Sequence, residues 1–379
     1  MNPYTLSDLV RYFLWLGTTG FGGPIALCGA MQRDLVDGRK WISKEDYGEG
    51  LALSQLAPGP LAAQLAIYLG WVKGGTFGAT VTGIAFVLPS FLMVLALSAV
   101  YVELGGVPGM QAAFYGVGAA VIGIIARSAY KLATSTVGKH RLLWGVFATS
   151  AVVTGVTETE SAWLFVAAGL VAMAVLGGGA KAKAGATAAA LVPWPVLLSG
   201  IHGPATNATL AQIAWFFTKA GAFVFGSGLA IVPFLHGGVV NEYGWLDERQ
   251  FLDAVAVAMI TPGPVVITVA FIGYLVGGPI GATVAALATF LPCWVLTVVP
   301  APYFRRFGKD PRLKAFVDGV TAAASGAIAG AVFVLGRRAI VDLPTALLAA
   351  GTVLALVYAK RIPEPVLILA AAAVGLAVA

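Results

Sequence analysis

The chain has 379 residues, 59% of them hydrophobic and 11% charged, with a mean hydropathy of +0.89. That is more apolar surface than one water-soluble core can hide, which excludes a soluble globular domain and indicates a polytopic membrane protein. The net charge of +6 is spread through short loops, as membrane topology demands, so nucleic acid is not an expected partner.

In chain order, the first apolar stretch (5–23) ends in Phe21-Gly22-Gly23-Pro24. Asp8 precedes Arg11 and no small-residue cleavage site follows, so this stretch reads as a retained helix rather than a removable leader. The second stretch (50–72) is interrupted by Pro58-Gly59-Pro60, and four more follow at 76–102, 110–130, 142–156 and 161–178. A segment from 179 to 207, with Pro193, Pro195 and Pro204, has linker composition. Six further stretches run 208–226, 251–276, 279–300, 315–335, 344–358 and 363–379.

The second set repeats the first. Phe21-Gly22-Gly23-Pro24, Trp41 and Pro58-Gly59-Pro60 recur 204 positions later as Phe225-Gly226-Ser227-Gly228, Trp245 and Pro262-Gly263-Pro264. After a one-residue slip, Gly78-Ala79-Thr80-Val81 and Leu88-Pro89 recur as Gly281-Ala282-Thr283-Val284 and Leu291-Pro292. Paired Gly/Pro-interrupted segments at corresponding places in two halves point to a transporter with its site between the repeats.

Loop charges choose between two topologies. If all twelve stretches cross, the basic loop residues divide twelve to eight, which is hardly a bias. If 50–72 and 251–276 instead turn back at their Pro-Gly-Pro, seventeen lie on one face and only Arg249, Arg337 and Arg338 on the other. That positive-inside signal predicts five crossings per half, about ten in all plus two re-entrant or broken helices, with the second half inverted. Three units follow: a first repeat at 1–178, a cytoplasmic linker at 179–207 and an inverted second repeat at 208–379.

Proline lacks the amide proton that a helix interior needs, so Pro58, Pro60, Pro262 and Pro264 break their helices in mid-membrane. The amides freed at Leu61 and Val265 carry the positive end of a helix dipole and form a natural anion site. Phe21-Gly22-Gly23-Pro24 and Phe225-Gly226-Ser227-Gly228 offer a second pair of breaks, with close backbone approach at the glycines and a hydroxyl from Ser227. Each motif alone is equally consistent with helix packing and kinking.

Lys219 lies inside the apolar run from Ile213 to Phe225, where a charge is costly, and is a candidate partner for an anion or a snorkelling side chain. Its repeat equivalent is Trp15. Glu49 and Asp253 correspond under the 204 shift as helix-start carboxylates or as proton carriers for coupling. Gln55, Gln64 and Thr261 are neutral hydrogen-bonders near the breaks. Scarce buried acids argue against a cation pump. His140, His202 and His236 form no metal-ligand spacing. Cys28 and Cys293 suggest no disulfide framework. Neither a nucleotide-binding loop nor a nucleophile elbow occurs, so no cofactor, metal or enzymatic activity is expected.

On these residues the chain resembles the chromate transporter family of prokaryotic membrane proteins. The resemblance rests on FGGP at 21–24 with FGSG at 225–228, the stretch from Arg33 to Ile42 with its Trp245-Leu246 partner, QLAPGP at 55–60 with TPGP at 261–264, and GATV…LP in both halves. It implies two homologous halves and export of chromate, with sulfate as a related oxyanion. Two departures stand out: Trp15 replaces a basic residue expected before the first FGGP, and Leu27 replaces a histidine that often follows it. The expected protein is therefore a multi-pass secondary transporter of the prokaryotic cytoplasmic (inner) membrane, its partners a small inorganic oxyanion, the lipid bilayer and a second copy as homodimer. The alternative is a passive anion channel on the same scaffold. The expected substrate-binding residues are Phe21, Gly22, Gly23, Pro24, Gln55, Pro58, Gly59, Pro60, Lys219, Phe225, Gly226, Ser227, Gly228, Thr261, Pro262, Gly263 and Pro264.

Overall fold

The computed structural model describes residues 2–21, 23–104, 108–138, 140–157, 162–177, 199–200, 203–204, 206–223, 231–307, 310–359 and 362–378. Helix α1 (Leu6–Thr19) opens on a capping box between Thr5 and Asp8. Helix α2 (Gly23–Met31) continues as one wide turn through Gln32–Gly38. The two lie antiparallel as a hairpin: the Tyr12 hydroxyl donates to Asp34 at 3.1 Å, and Tyr4 stacks on Trp41 with ring centroids 5.5 Å apart. With 14 residues α1 is about 21 Å long, short of the roughly 30 Å hydrocarbon core. The chain turns back after α1, and the Asn2 side chain donates to the Arg39 carbonyl at 2.9 Å.

A second hairpin follows. Helix α3 (Lys44–Leu56), capped by Ser43, stops at Pro58-Gly59-Pro60, and α4 (Leu61–Leu104) starts directly after. Although α4 is continuous in hydrogen bonding, Gly74 and Gly75 leave helical geometry, with φ of +57° at Gly75. The chain reverses there, because Gly70 packs on Gly78 and Ile67 on Gly83. The first arm (61–73) thus returns to the face where α3 began, and only the second arm (76–104) crosses. Helices α5 (Pro108–Thr136), α6 (Arg141–Thr157) and α7 (Ala162–Leu176) complete the half.

The second half repeats this order. Helices α8 (Asn207–Phe223) and α9 (Ile231–His236) mirror the first hairpin. Helix α10 (Glu248–Ile260), capped by Asp247, and α11 (Thr268–Val298) mirror the second. Then come a short α12 (Ala301–Phe307), α13 (Pro311–Ala339), α14 (Leu343–Tyr358) and α15 (Glu364–Val378). Even the unusual backbone recurs: Gly277-Gly278 reverse α11 with φ of +62° at Gly278, and Lys40 and Gly244 share a positive φ of 57° and 59°. A two-residue antiparallel pair, β1 (Ser199–Gly200) with β2 (Gly203–Pro204), precedes α8.

Contacts fix the relative direction of the halves. Helix α5 runs against α15, since Gly116 meets Ala371 and Ala112 meets Gly375. It runs with α14, since Tyr115 bonds Asp342 while Gly123 meets Ala349 and Thr352. Reciprocally, α13 runs with α6 (Gly326 on Phe147, Gly330 on Ala151) and against α7 (Gly177 on Arg312, Gly319 on Ala168). The three residues between α13 and α14 reach only about 10 Å, so α14 must reverse α13. Helix α5, parallel to α14, is therefore antiparallel to its own counterpart α13, and the repeats are inverted. Glycine and alanine line every one of these seams, letting backbones approach where lipid supplies no hydrophobic drive.

The protein is thus an all-α polytopic membrane protein. Four of its helical segments are long and apolar enough to span a bilayer, and four shorter apolar helices accompany them. The two FGGP-type hairpins and the two Pro-Gly-Pro hairpins pack among them. The 179–207 linker lies outside the described residues except for 199–200, 203–204 and 206–207.

Asp37 and Asn241 are exposed repeat equivalents at the far ends of the two first hairpins, and both native thiols are buried. Asp37→Cys in intact cells is expected to resist a membrane-impermeant maleimide, and Asn241→Cys to react. Equal labelling of both would contradict the inversion.

Candidate functional site

Each Pro-Gly-Pro break packs against a crossing helix of the other half. Ser90, in the crossing arm of α4, donates to the Pro262 carbonyl at 2.6 Å. Its equivalent Cys293 in α11 lies where a β-carbon on Gly59 would meet its sulfur at 3.2 Å. Reciprocal contact of this kind is what a pseudo-two-fold axis imposes. The glycines are required: φ is +141° at Gly59 and +99° at Gly263, left-handed geometry that a side chain resists.

The breaks are held by polar groups that the helices release. The Gly263 amide donates to the Gly20 carbonyl at 2.8 Å, which joins the first half's FGGP turn to the second half's Pro-Gly-Pro. Gln64, fully buried, donates from Nε2 to the Pro58 carbonyl at 2.7 Å, and its Oε1 has no hydrogen-bond partner among the described residues. Thr261 and Thr268 donate to Ala258 and Val265 at 3.1 and 2.8 Å. Helix geometry leaves the amides at the start of α4 without intrahelical acceptors. Leu61, Ala62 and Ala63 hold them in the interior at 6%, 2% and 0% exposure. The dipole of that arm therefore presents its positive end inside the protein.

The expected site residues divide. Pro58, Gly59, Pro60, Thr261, Pro262 and Gly263, together with Gly20, form one interior assembly with Gln64, Ser90 and Cys293. Pro264 starts the one-turn helix (Val265–Ile267) that leads into α11. Pro24 lies in the first turn of α2, and Phe21 is 43% exposed at the hairpin tip. Gln55 lies on the exposed side of α3, away from the buried break. Gly22 and the stretch Phe225-Gly226-Ser227-Gly228 lie outside the described residues, and Gly23 is described in its backbone alone. Lys219 sits on the side of α8 opposite Ile213, Phe217 and Gly221, its ammonium 5.6 Å from the centre of the exposed Trp215 ring.

The two carboxylates part company. Glu49 is half-buried and accepts from the Tyr68 hydroxyl of its own half at 3.1 Å. Asp253 is 3% exposed and accepts at 2.7 Å from Tyr101, which comes from the other half. At the outer face, His236 Nε2 sits 2.8 Å from Glu248, and Arg338 pairs with the same carboxylate. Among the described residues no group of three or more His, Cys, Asp or Glu is disposed to hold a metal. Ser90 and Cys293 escaped the sequence reading, though a signal was there: each directly follows the repeated Leu-Pro, at Leu88-Pro89 and Leu291-Pro292. Tyr101 left no such trace.

A last feature lies between the arms of the first hairpin. Trp15, Thr19, Gly20, Phe21, Leu27 and Arg33 line an open cleft of about 480 Å³. Asp34 also borders it, with the Tyr12 hydroxyl donating to its carboxylate.

Inverted repeats, helices broken within apolar segments and polar backbone turned inward are the architecture of a membrane transporter. The model of the family described as chromate transporter matches residues 7–174 and 211–376, one match to each repeat, and the chain belongs to that family. It is 62% identical to the chromate transport protein of Cupriavidus metallidurans over 98% of this chain and 93% of the relative. It is 55% identical to the probable chromate transport protein of Synechococcus elongatus, over 98% and 95%. To the chromate transport protein of Pseudomonas aeruginosa it is 32% identical, over 98% and 92%. No solved structure matches the chain.

Proposed function

We propose that this protein is a secondary-active exporter of chromate or a closely related tetrahedral oxyanion such as sulfate, working by alternating access in the prokaryotic inner membrane. One observation carries the reading: in an inverted-repeat chain of the chromate transporter family, each half's broken helix lodges against the other half's crossing helix, with the first-turn amides of residues 61–63 buried inside. A doubly charged tetrahedral anion suits dipole ends and backbone donors that carry no proton of their own to lose. A negative-inside membrane assists export of such an anion by about 2.3 kcal/mol per charge per 100 mV. The seventeen-to-three bias of basic loops supports an inner-membrane orientation with the N-terminus inside. Repeat one spans 1–178 and repeat two 208–379 in this reading, and a homodimer is compatible with it.

The test is flux in proteoliposomes of known orientation, with chromate, sulfate and molybdate competed under imposed pH and voltage gradients. Saturable uptake with counterflow of chromate is the expected result. Large single-channel currents would instead favour a passive anion channel on this scaffold. Lys219→Ala should raise the chromate concentration for half-maximal flux about tenfold, while the amount of protein in the membrane stays at wild-type level. Unchanged half-saturation would remove Lys219 from the anion path.

A further inference from the structure

The two FGGP-type hairpins place their basic residues at different repeat positions. Under the 204 shift Trp15 corresponds to Lys219, Arg11 to Trp215 and Arg33 to Gly237, so the first hairpin has an indole where the second has Lys219 and an arginine on its second arm where the other has glycine. Arg33 borders the same cleft as Trp15 and the tip residues Gly20 and Phe21. Among the described residues it makes no ion pair, and the one bordering carboxylate, Asp34, is engaged by Tyr12. Trp15 and Phe21 are 53% and 43% exposed, so the cleft is open to its surroundings.

Resting on the exporter reading above, we propose that this cleft is a cytoplasm-side capture site for the oxyanion, with Arg33 as its cationic anchor and Trp15 as its wall. A guanidinium presents a fork of donors whose spacing matches two oxygens of a tetrahedral oxyanion. The indole at position 15 replaces a charge with a flat, polarisable surface, so the cleft holds one cation rather than two and releases its guest toward the interior breaks. Gly20 links the two places: its residue lines the cleft, and its carbonyl accepts from Gly263 of the second Pro-Gly-Pro. Because the halves are inverted, the hairpin bearing Lys219 occupies the matching position toward the outer face, which makes Arg33 the loading residue and Lys219 its counterpart at release.

Chromate absorbs where tryptophan emits, so binding beside Trp15 is read directly as quenching in the purified full-length protein, corrected for chromate's own absorption. Wild type should quench saturably, Trp15→Phe should lose the saturable component, and Arg33→Gln should need about tenfold more chromate for half-quenching. Arg33→Lys should fall between, and sulfate should compete. Equal size-exclusion profiles and melting temperatures establish that the variants are folded. Wild-type quenching that survives unchanged in folded Arg33→Gln, or that is indifferent to Trp15→Phe, overturns the assignment. Quenching that behaves as expected in a wild type that moves no oxyanion in vesicles leaves the cleft standing and removes the exporter reading instead.

Discussion

Alanine at Gly78 or at Gly281 is expected to keep the protein from accumulating in the membrane. Each glycine presses its α-carbon onto the carbonyl of the arm it folds against, Gly70 for Gly78 and Gly273 for Gly281, so that an added β-carbon would overlap backbone oxygen. Backbone cannot swing aside as a side-chain tip does, and overpacking of a tight seam costs typically 1–3 kcal/mol, more where nothing yields. Here the seam is the pivot that folds one continuous helix into a re-entrant arm and a crossing arm, so the loss extends to the hairpin as a whole. Two other positions calibrate the effect. At Gly75 an added β-carbon meets nothing, but the positive φ remains, and a cost of about 1 kcal/mol is expected. At Gly48, inside α3 with open space around it, alanine should be neutral or slightly stabilising. Membrane abundance and detergent melting temperature rank the four variants, and Gly78→Ala behaving like Gly48→Ala would refute the tight-seam reading.

Asp253→Asn is expected to lower proton-linked oxyanion flux at least tenfold, and to make the remaining flux insensitive to an imposed pH gradient. The amide keeps the shape and the hydrogen bond from Tyr101 while deleting the charge, so the comparison isolates ionisation. A carboxylate at 3% exposure inside a membrane-embedded hairpin is costly to keep charged, and its partner hydroxyl comes from the opposite half, where a motion between halves would be felt. Asp253→Ala should do more than stop coupling, since it leaves the Tyr101 hydroxyl without its acceptor at a cost of about 1–3 kcal/mol. Glu49→Gln should do less, because Glu49 is half-buried and bonded within its own half. Wild-type pH-driven flux in Asp253→Asn would show that the carboxylate serves only as the acceptor for Tyr101.

Much of this was legible in the chain. The 204-residue repeat exposed both Pro-Gly-Pro breaks and the inversion, because each leaves a local mark in residue type or charge, whereas the helix starts expected at Glu49 and Asp253 lie further back, capped by Ser43 and Asp247. What stayed hidden depends on contacts between distant residues. The stretch 5–23 reads as a span since its apolar run is long enough, and only the bond from Tyr12 to Asp34, 22 residues on, reveals that it turns back. The reversal at Gly74-Gly75 is hidden in the same way: two glycines in an apolar run permit a turn without requiring one. Tyr101 and Asp253 are 152 residues apart, beyond any spacing rule. Arg33 was read as one of many basic loop residues, and its cleft exists only because the hairpin closes beside it.

The exchange of outer helices has a mechanical corollary. Since α5 is clasped by α14 and α15, while α13 is clasped by α6 and α7, neither gene-half is a rigid body in its own right. The chain forms two chimeric paddles, each stitched from both ends of the polypeptide, which meet where α5 packs on α13. A lone half would leave its paddle unclasped, so it would find its missing helices only in another chain.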